Sequence, residues 1–171
     1  MRYLLTFLLV ASGAFPILAG KPSEAERKQL EAWAQSLDKA SVHRAVLDHE
    51  CDPLGSDAKK IRPVLAVHFE SVDYIVCLDQ IGSLLDTKNQ AHEAVFWQVV
   101  FGSGDFVEQH PEQAKDKLAY MQAGLESGLR AYENMLRERP KARLAFLDNL
   151  LVMRSEGRLV DFVKEHPCDD K

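Results

Sequence analysis

The residues with the greatest chemical capacity fall in a heptapeptide that occurs twice. Asp105-Phe106-Val107-Glu108-Gln109-His110-Pro111 returns as Asp161-Phe162-Val163-Lys164-Glu165-His166-Pro167, five of seven positions alike and 56 residues apart. Each copy carries an Asp and a His, and the two histidines could work as a pair, although nothing in the spacing brings them together. The structural reading is simpler. Asp105 and Asp161 N-cap a short helix, their carboxylates accepting free N–H groups. Phe and Val pack inward, and His110 and His166 sit before prolines at a helix end, where an imidazole suits the dipole. Both copies are expected to form the same short helix, with Phe106 and Phe162 buried in equivalent positions.

A second echo joins His49-Glu50-Cys51-Asp52 to His166-Pro167-Cys168-Asp169. Two histidines and two cysteines are a recognised tetrahedral zinc set, but His-x-Cys lacks the usual spacing of ligands. Disulfide or free thiol is the stronger reading. His43 and His49, six apart, share no helix face. Gly102-Ser103-Gly104 is not a Gly-x-Ser-x-Gly elbow. His49-Glu50 and His92-Glu93 lack the second histidine of a His-Glu-x-x-His site. There is no phosphate-binding glycine loop and no Cys-x-x-Cys. No catalytic, cofactor-binding or metal-binding residue is assigned, and a non-catalytic role is expected.

The start of the chain specifies a compartment. Met1-Arg2 is a short positive region, Tyr3 to Val10 is apolar, and small residues lead to Ala19-Gly20 before the polar Lys21-Pro22-Ser23-Glu24. That order describes a secretory signal peptide over 1–19, cut after Ala19 or nearer Ala14. The apolar run is too short for a membrane span. A periplasmic or secreted protein is expected, with residues 20–171 forming one domain. Export makes a disulfide expected among Cys51, Cys77 and Cys168. Cys51–Cys77 is preferred because its loop is short, and closing it contributes about 3–4 kcal/mol in the chain-entropy model. Cys51–Cys168 is the second choice.

The chain holds 21 Lys and Arg against 26 Asp and Glu, a net charge of −5. Loss of Arg2 with the leader makes the remainder slightly more acidic. Nucleic-acid binding needs clustered basic residues and is not expected. A basic protein partner is compatible with this balance.

The elements that position these residues read as helices. Ser23-Glu24-Ala25-Glu26 is a capping box. Leu30, Trp33, Leu37 and Ala40 then recur at helical spacing, predicting one helix to about His49. Cys51-Asp52-Pro53-Leu54-Gly55 is a turn. Residues 57–86 read as two helices, with a hairpin over 64–78 as the alternative. Pro63 is expected in a first helical turn. Residues 88–101 form a helix buried on most sides, which Gly102-Ser103-Gly104 stops. A long helix over 112–138 carries Leu118, Met121, Leu125, Leu129, Tyr132 and Leu136. Gly124 and Gly128 on it predict close passage of another helix. A last amphipathic helix over 141–154 precedes the second heptapeptide. The prediction is an all-α, single-domain bundle or HEAT-like stack of about seven helices.

In general character the chain resembles the small exported bacterial immunity proteins of interbacterial toxin systems. It is short, mildly acidic, helical and without a catalytic constellation. The resemblance implies a protein partner, a basic-surfaced toxin, blocked by occlusion with no cofactor. Asp48, Glu50, Asp52 and Asp57 form the candidate contact patch. Two other functions fit the same profile. One is a scaffold or accessory factor of envelope assembly. The other is a small-ligand carrier or enzyme with a pocket near Trp97 and Phe101, although aromatics at helical spacing are more often core.

Overall fold

The computed structural model describes residues 22–85 and 89–167. Among them seven helices exceed a single turn: α1 (Glu24–Ser36), α2 (Lys39–Cys51), α3 (Ser56–Phe69), α4 (Gln90–Gln109), α5 (Lys117–Glu138), α6 (Ala145–Ser155) and α7 (Leu159–Glu165). One helical turn, Leu78–Ile81, and two 3-10 turns, Gly82–Leu85 and Pro111–Gln113, lie between them. The described residues contain no strand. The expected signal peptide and Cys168 lie outside them.

The capping box at Ser23 forms as its residues dictate. The Glu26 carboxylate accepts from the Ser23 N–H at 2.7 Å, and the Glu26 N–H donates to Ser23 Oγ at 3.3 Å. The helix it starts ends early, at Ser36. Leu37 is extended, and the Asp38 carboxylate accepts from the Ser41 N–H at 2.8 Å, capping a second helix. The expected single helix to His49 is therefore two. The break lets α1 pack on α3 while α2 packs on α3, α4 and α5. Because α1 and α2 do not form a stacked pair, the arrangement is a bundle rather than a repeat stack.

At the centre α4 crosses α5, the most extensive contact in the molecule. Gly102-Ser103-Gly104 does not stop α4. It lies inside the helix and is buried. Glycine costs a helix about 1 kcal/mol relative to alanine. Here the missing side chain admits a neighbour. A Cβ at Gly102 would lie 2.5 Å from the Ser127 Cβ, and one at Gly104 would lie 2.5 Å from the Phe69 ring. The approach is reciprocal, since a Cβ on Gly124 of α5 would lie 2.7 Å from the Val99 carbonyl oxygen. The close passage expected at Gly124 and Gly128 is present, and α4 is the helix that makes it.

Residues 70–85 form neither a hairpin nor a second full helix. After α3 the chain runs without regular structure to the Leu78–Ile81 turn. Its apolar residues enter the core instead of a strand ladder. Tyr74 lies edge-on to Phe69, with ring centroids 6.3 Å apart, and donates its hydroxyl to the Val100 carbonyl at 3.1 Å. Pro63 sits in the middle of α3 rather than in its first turn. One hydrophobic core runs from Val42 to Val163 and includes Phe69, Phe96, Phe101, Leu129 and Tyr132. No described helix is long and apolar enough to cross a membrane.

The two copies of the heptapeptide do not form the same short helix. Neither Asp is an N-cap. Asp105 lies well inside α4, and Asp161 is in the first turn of α7, whose N-cap is Arg158. The copies agree at their C-terminal ends. His110 and His166 are helix C-caps with φ, ψ of −125°, 64° and −120°, 63°. Each donates its backbone N–H to the carbonyl of the Phe four residues earlier, and each lays its ring on that Phe, at centroid separations of 4.6 Å and 4.3 Å. Proline then prevents continuation of the helix. Phe162 is buried, whereas Phe106 is only partly so, and the first copy ends a 20-residue helix instead of forming its own. The repeat is a shared way of ending a helix.

Candidate functional site

The residues of α2 that point inward begin a polar chain through the core. Val42, Val46, His49 and Glu50 share the buried face of this helix, so two polar groups follow two apolar ones into the interior. His49 is fully buried. Its Nδ1 lies 2.5 Å from Gln98 Oε1, and its Nε2 lies 3.3 Å from Arg62 Nε. A guanidinium can only donate, so Nε2 accepts from Arg62 and Nδ1 carries the proton given to Gln98. Burial, and then the Arg62 charge, push the His49 pKa down to about 4, which keeps the ring neutral.

The chain extends in both directions. Arg62 also donates to Glu93 at 3.0 Å and to the Pro53 carbonyl at 2.9 Å. Gln98 donates to Ser127 Oγ at 2.7 Å, and Ser127 donates to Glu50 at 2.7 Å. Arg130 closes the series with a two-pronged contact to Glu50, at 2.8 and 2.9 Å. The hydrogen bond to Glu50 raises the Arg130 pKa, while burial lowers that of Arg62. Glu93, Arg62, His49, Gln98, Ser127, Glu50 and Arg130 thus form one connected series across α2, α3, α4 and α5. Its basic groups alternate with acceptors, and each group has a partner. The Ser127 hydroxyl is engaged by a carboxylate and an amide, not by an imidazole base, and the His49 ring is used at both nitrogens. The arrangement clamps α2 and the turn after it to the central helices.

The four acidic residues expected at a contact surface divide accordingly. Asp48, Asp52 and Asp57 are exposed, on α2, at its C-cap and in the first turn of α3. Glu50 does not join them. It is 7% exposed, and its carboxylate is bound to Ser127 and Arg130 inside the clamp. Asp48 pairs with Arg44 and Asp57 with Lys60, both on the surface. Leu47 on α2 is 37% exposed, one of the few large apolar side chains among the described residues so open to solvent.

The preferred disulfide is not formed. Cys51 is a free, exposed thiol at the end of α2, while Cys77 is buried with its Sγ 3.8 Å from Met121 Sδ. A short loop in sequence did not bring the two sulfurs together, because residues 56–69 are a rigid helix rather than a closing loop. The set His49, Cys51, His166 and Cys168 cannot hold zinc through His49, whose ring nitrogens are both occupied. Among the described residues no group of three or more His, Cys, Asp or Glu is placed to hold a metal ion. A small surface depression is lined by Cys51, Asp52, Pro53, Leu54 and residues of the α5 end, including Asn134 and Arg139. Trp97 does not line it and instead stacks on Phe101 with ring centroids 5.5 Å apart.

Sequence reasoning missed Gln98, Ser127, Arg62 and Arg130. A signal was present for the first: Gln98 is an uncharged polar residue within an otherwise apolar helix, and a buried amide needs partners. No protein-family model, curated protein or solved structure matches the chain.

Proposed function

We propose that the protein is an exported, non-catalytic binding protein that neutralises a toxin by occluding it, as an immunity protein does. The observation that carries this reading is the exposed corner formed by α2 and the start of α3. It exposes Leu47 and Asp48 on α2, Asp52 at the α2 C-cap and Asp57 in the first turn of α3, and α2 is fixed from beneath by the buried series from Glu93 to Arg130. A rigid apolar anchor with exposed acidic residues suits a partner whose active-site mouth is basic. Such charge complementarity speeds encounter and excludes wrong partners, while a desolvated anchor supplies most of the affinity. Surface ion pairs are worth only about 0.2–1 kcal/mol, so the Arg44 and Lys60 contacts leave these carboxylates available to a stronger cation. The leader over 1–19 supports export.

Deleting the gene and co-culturing the strain with its parent tests the reading. The deletion strain is expected to be killed, and the wild-type gene to rescue it. A triple Asp48→Lys, Asp52→Lys, Asp57→Lys variant is expected to fold, judged by circular dichroism, yet fail to rescue. Normal competition by the deletion strain would overturn the immunity reading. Full rescue by the folded triple variant would remove this corner from it.

A further inference from the structure

The depression between the ends of α2 and α5 shares Asp52 with the contact corner, and its lining is chemically more specific than the corner alone. Leu54 and Met135, 8% and 3% exposed, give it apolar surface. Two carboxylates line it as well, Asp52 at the α2 C-cap and Glu138 at the last position of α5, both exposed. They differ from the other acids of the corner. Asp48 and Asp57 each have a basic partner on their own helix. The side chains of Asp52 and Glu138 have no ionic or hydrogen-bonding partner among the described residues. Arg139, the α5 C-cap, is the one basic residue in the lining, so two carboxylates face one guanidinium. The walls are held in place by buried groups. Arg62 donates to the Pro53 carbonyl at 2.9 Å, and the Asn134 amide donates to the Glu50 carbonyl at 3.0 Å. Apolar surface beside unpaired carboxylates matches the two halves of a lysine or arginine side chain, whose stem packs on apolar groups while its head stays with polar ones. An apolar ligand would leave the carboxylates unused, and an anion would meet two like charges.

We propose that this depression takes a single cationic side chain, lysine or arginine, from the surface of the protein partner. Leu54 and Met135 receive its stem, and Asp52 and Glu138 receive its head. The inference rests on the reading of this corner as the contact surface for a basic partner, and it names the group by which that partner is recognised.

The test titrates the full chain, labelled with nitrogen-15, with the N-acetyl methylamides of lysine, arginine and norleucine at low salt. Norleucine has the lysine stem without the ammonium group. Saturable shifts are expected at the amides of Asp52 and Glu138 with a cationic probe. Norleucine is expected to bind at least about tenfold more weakly, the size of one hydrogen bond to a charged group. A double Asp52→Asn, Glu138→Gln variant keeps both shapes at exposed positions. It is expected to fold, and to bind the cationic probes no better than norleucine. Arg139→Gln, which removes the opposing cation, is expected to bind them more tightly than the wild type. Equal affinity for all three probes, unchanged affinity in the folded double variant, or no saturable shift at these positions would overturn the proposal. No toxin enters these measurements. Normal competition by the deletion strain would remove the immunity reading and leave the cation preference standing, whereas failure of the titration would remove the depression alone.

Discussion

At the scale of single residues, His49 decides how the corner is held. It is neutral because the ring is fully buried and protonation would place a second charge beside Arg62. The sign of the pH effect follows. The folded pKa is lowered to about 4 from an ordinary value of 6.5. Above pH 6.5 both the folded and unfolded chains carry neutral His49, and its contribution is constant. As pH falls from 6.5 toward 4, the unfolded chain takes up a proton that the folded chain refuses, so stability falls. The full effect is on the order of 3 kcal/mol. Gln at this position offers a donor and an acceptor but cannot titrate. We expect urea midpoints of the wild type to drop between pH 7 and pH 5, and those of His49→Gln to drop distinctly less. Parallel pH curves would show that His49 is not the source. Glu50 teaches the companion lesson. The run of acids from Asp48 to Asp57 reads as one patch along the sequence, but Glu50 lies one position beyond the Val42, Val46, His49 line and shares its inward face.

At the scale of elements, the sequence revealed helices well and their ends poorly. Capping signals were reliable where a side chain could reach the backbone, as at Ser23. Asp38 carried the same signal, but the apolar spacing through Leu37 and Ala40 masked it. Glycine misled in α4, because a glycine that ends a helix and one that admits a neighbouring helix look alike until the neighbour is known. Gly124 permits a direct test. A methyl group there would meet the Ser103 hydroxyl, which can rotate, and the Val99 carbonyl, which cannot move without shifting α4. Gly124→Ala is therefore expected to cost about 1–3 kcal/mol through overpacking, despite the better helix propensity of alanine. Gly82 has nothing within 4 Å of its added Cβ, and its φ is −57°. Gly82→Ala should be neutral or slightly stabilising. Equal thermal midpoints for the two variants would mean that the α4–α5 approach is softer than its geometry implies.

At the scale of the whole molecule, stability is unevenly distributed, and the uneven part lies beside the proposed contact corner. The long-range relations were the least legible: which helix faces which, that Cys51 and Cys77 do not meet, and that Glu93 and Arg130 stand at the two ends of one polar chain. These depend on packing between segments far apart in sequence. The structure ranks them. The α4–α5 crossing is buried throughout, whereas α1 buries only Ala34 completely and leaves Trp33 45% exposed. Its ion pair to α3, Arg27 to Glu70 at 3.2 Å, is on the surface and contributes little. A helix with so little buried area opens locally without unfolding the rest. Hydrogen exchange on the full chain should show amides of α1 exchanging at least about a hundredfold faster than the buried amides of α4 and α5. The inner face of α2 should follow the slow group, although α2 is next to α1 in sequence, because its Glu50 and His49 are bound to the central helices. Such a boundary between Ser36 and Lys39 would mean that the Leu47 corner moves with the core. If α1 and α2 exchanged together, the corner would be a mobile arm, and occlusion by a rigid surface would lose its physical basis.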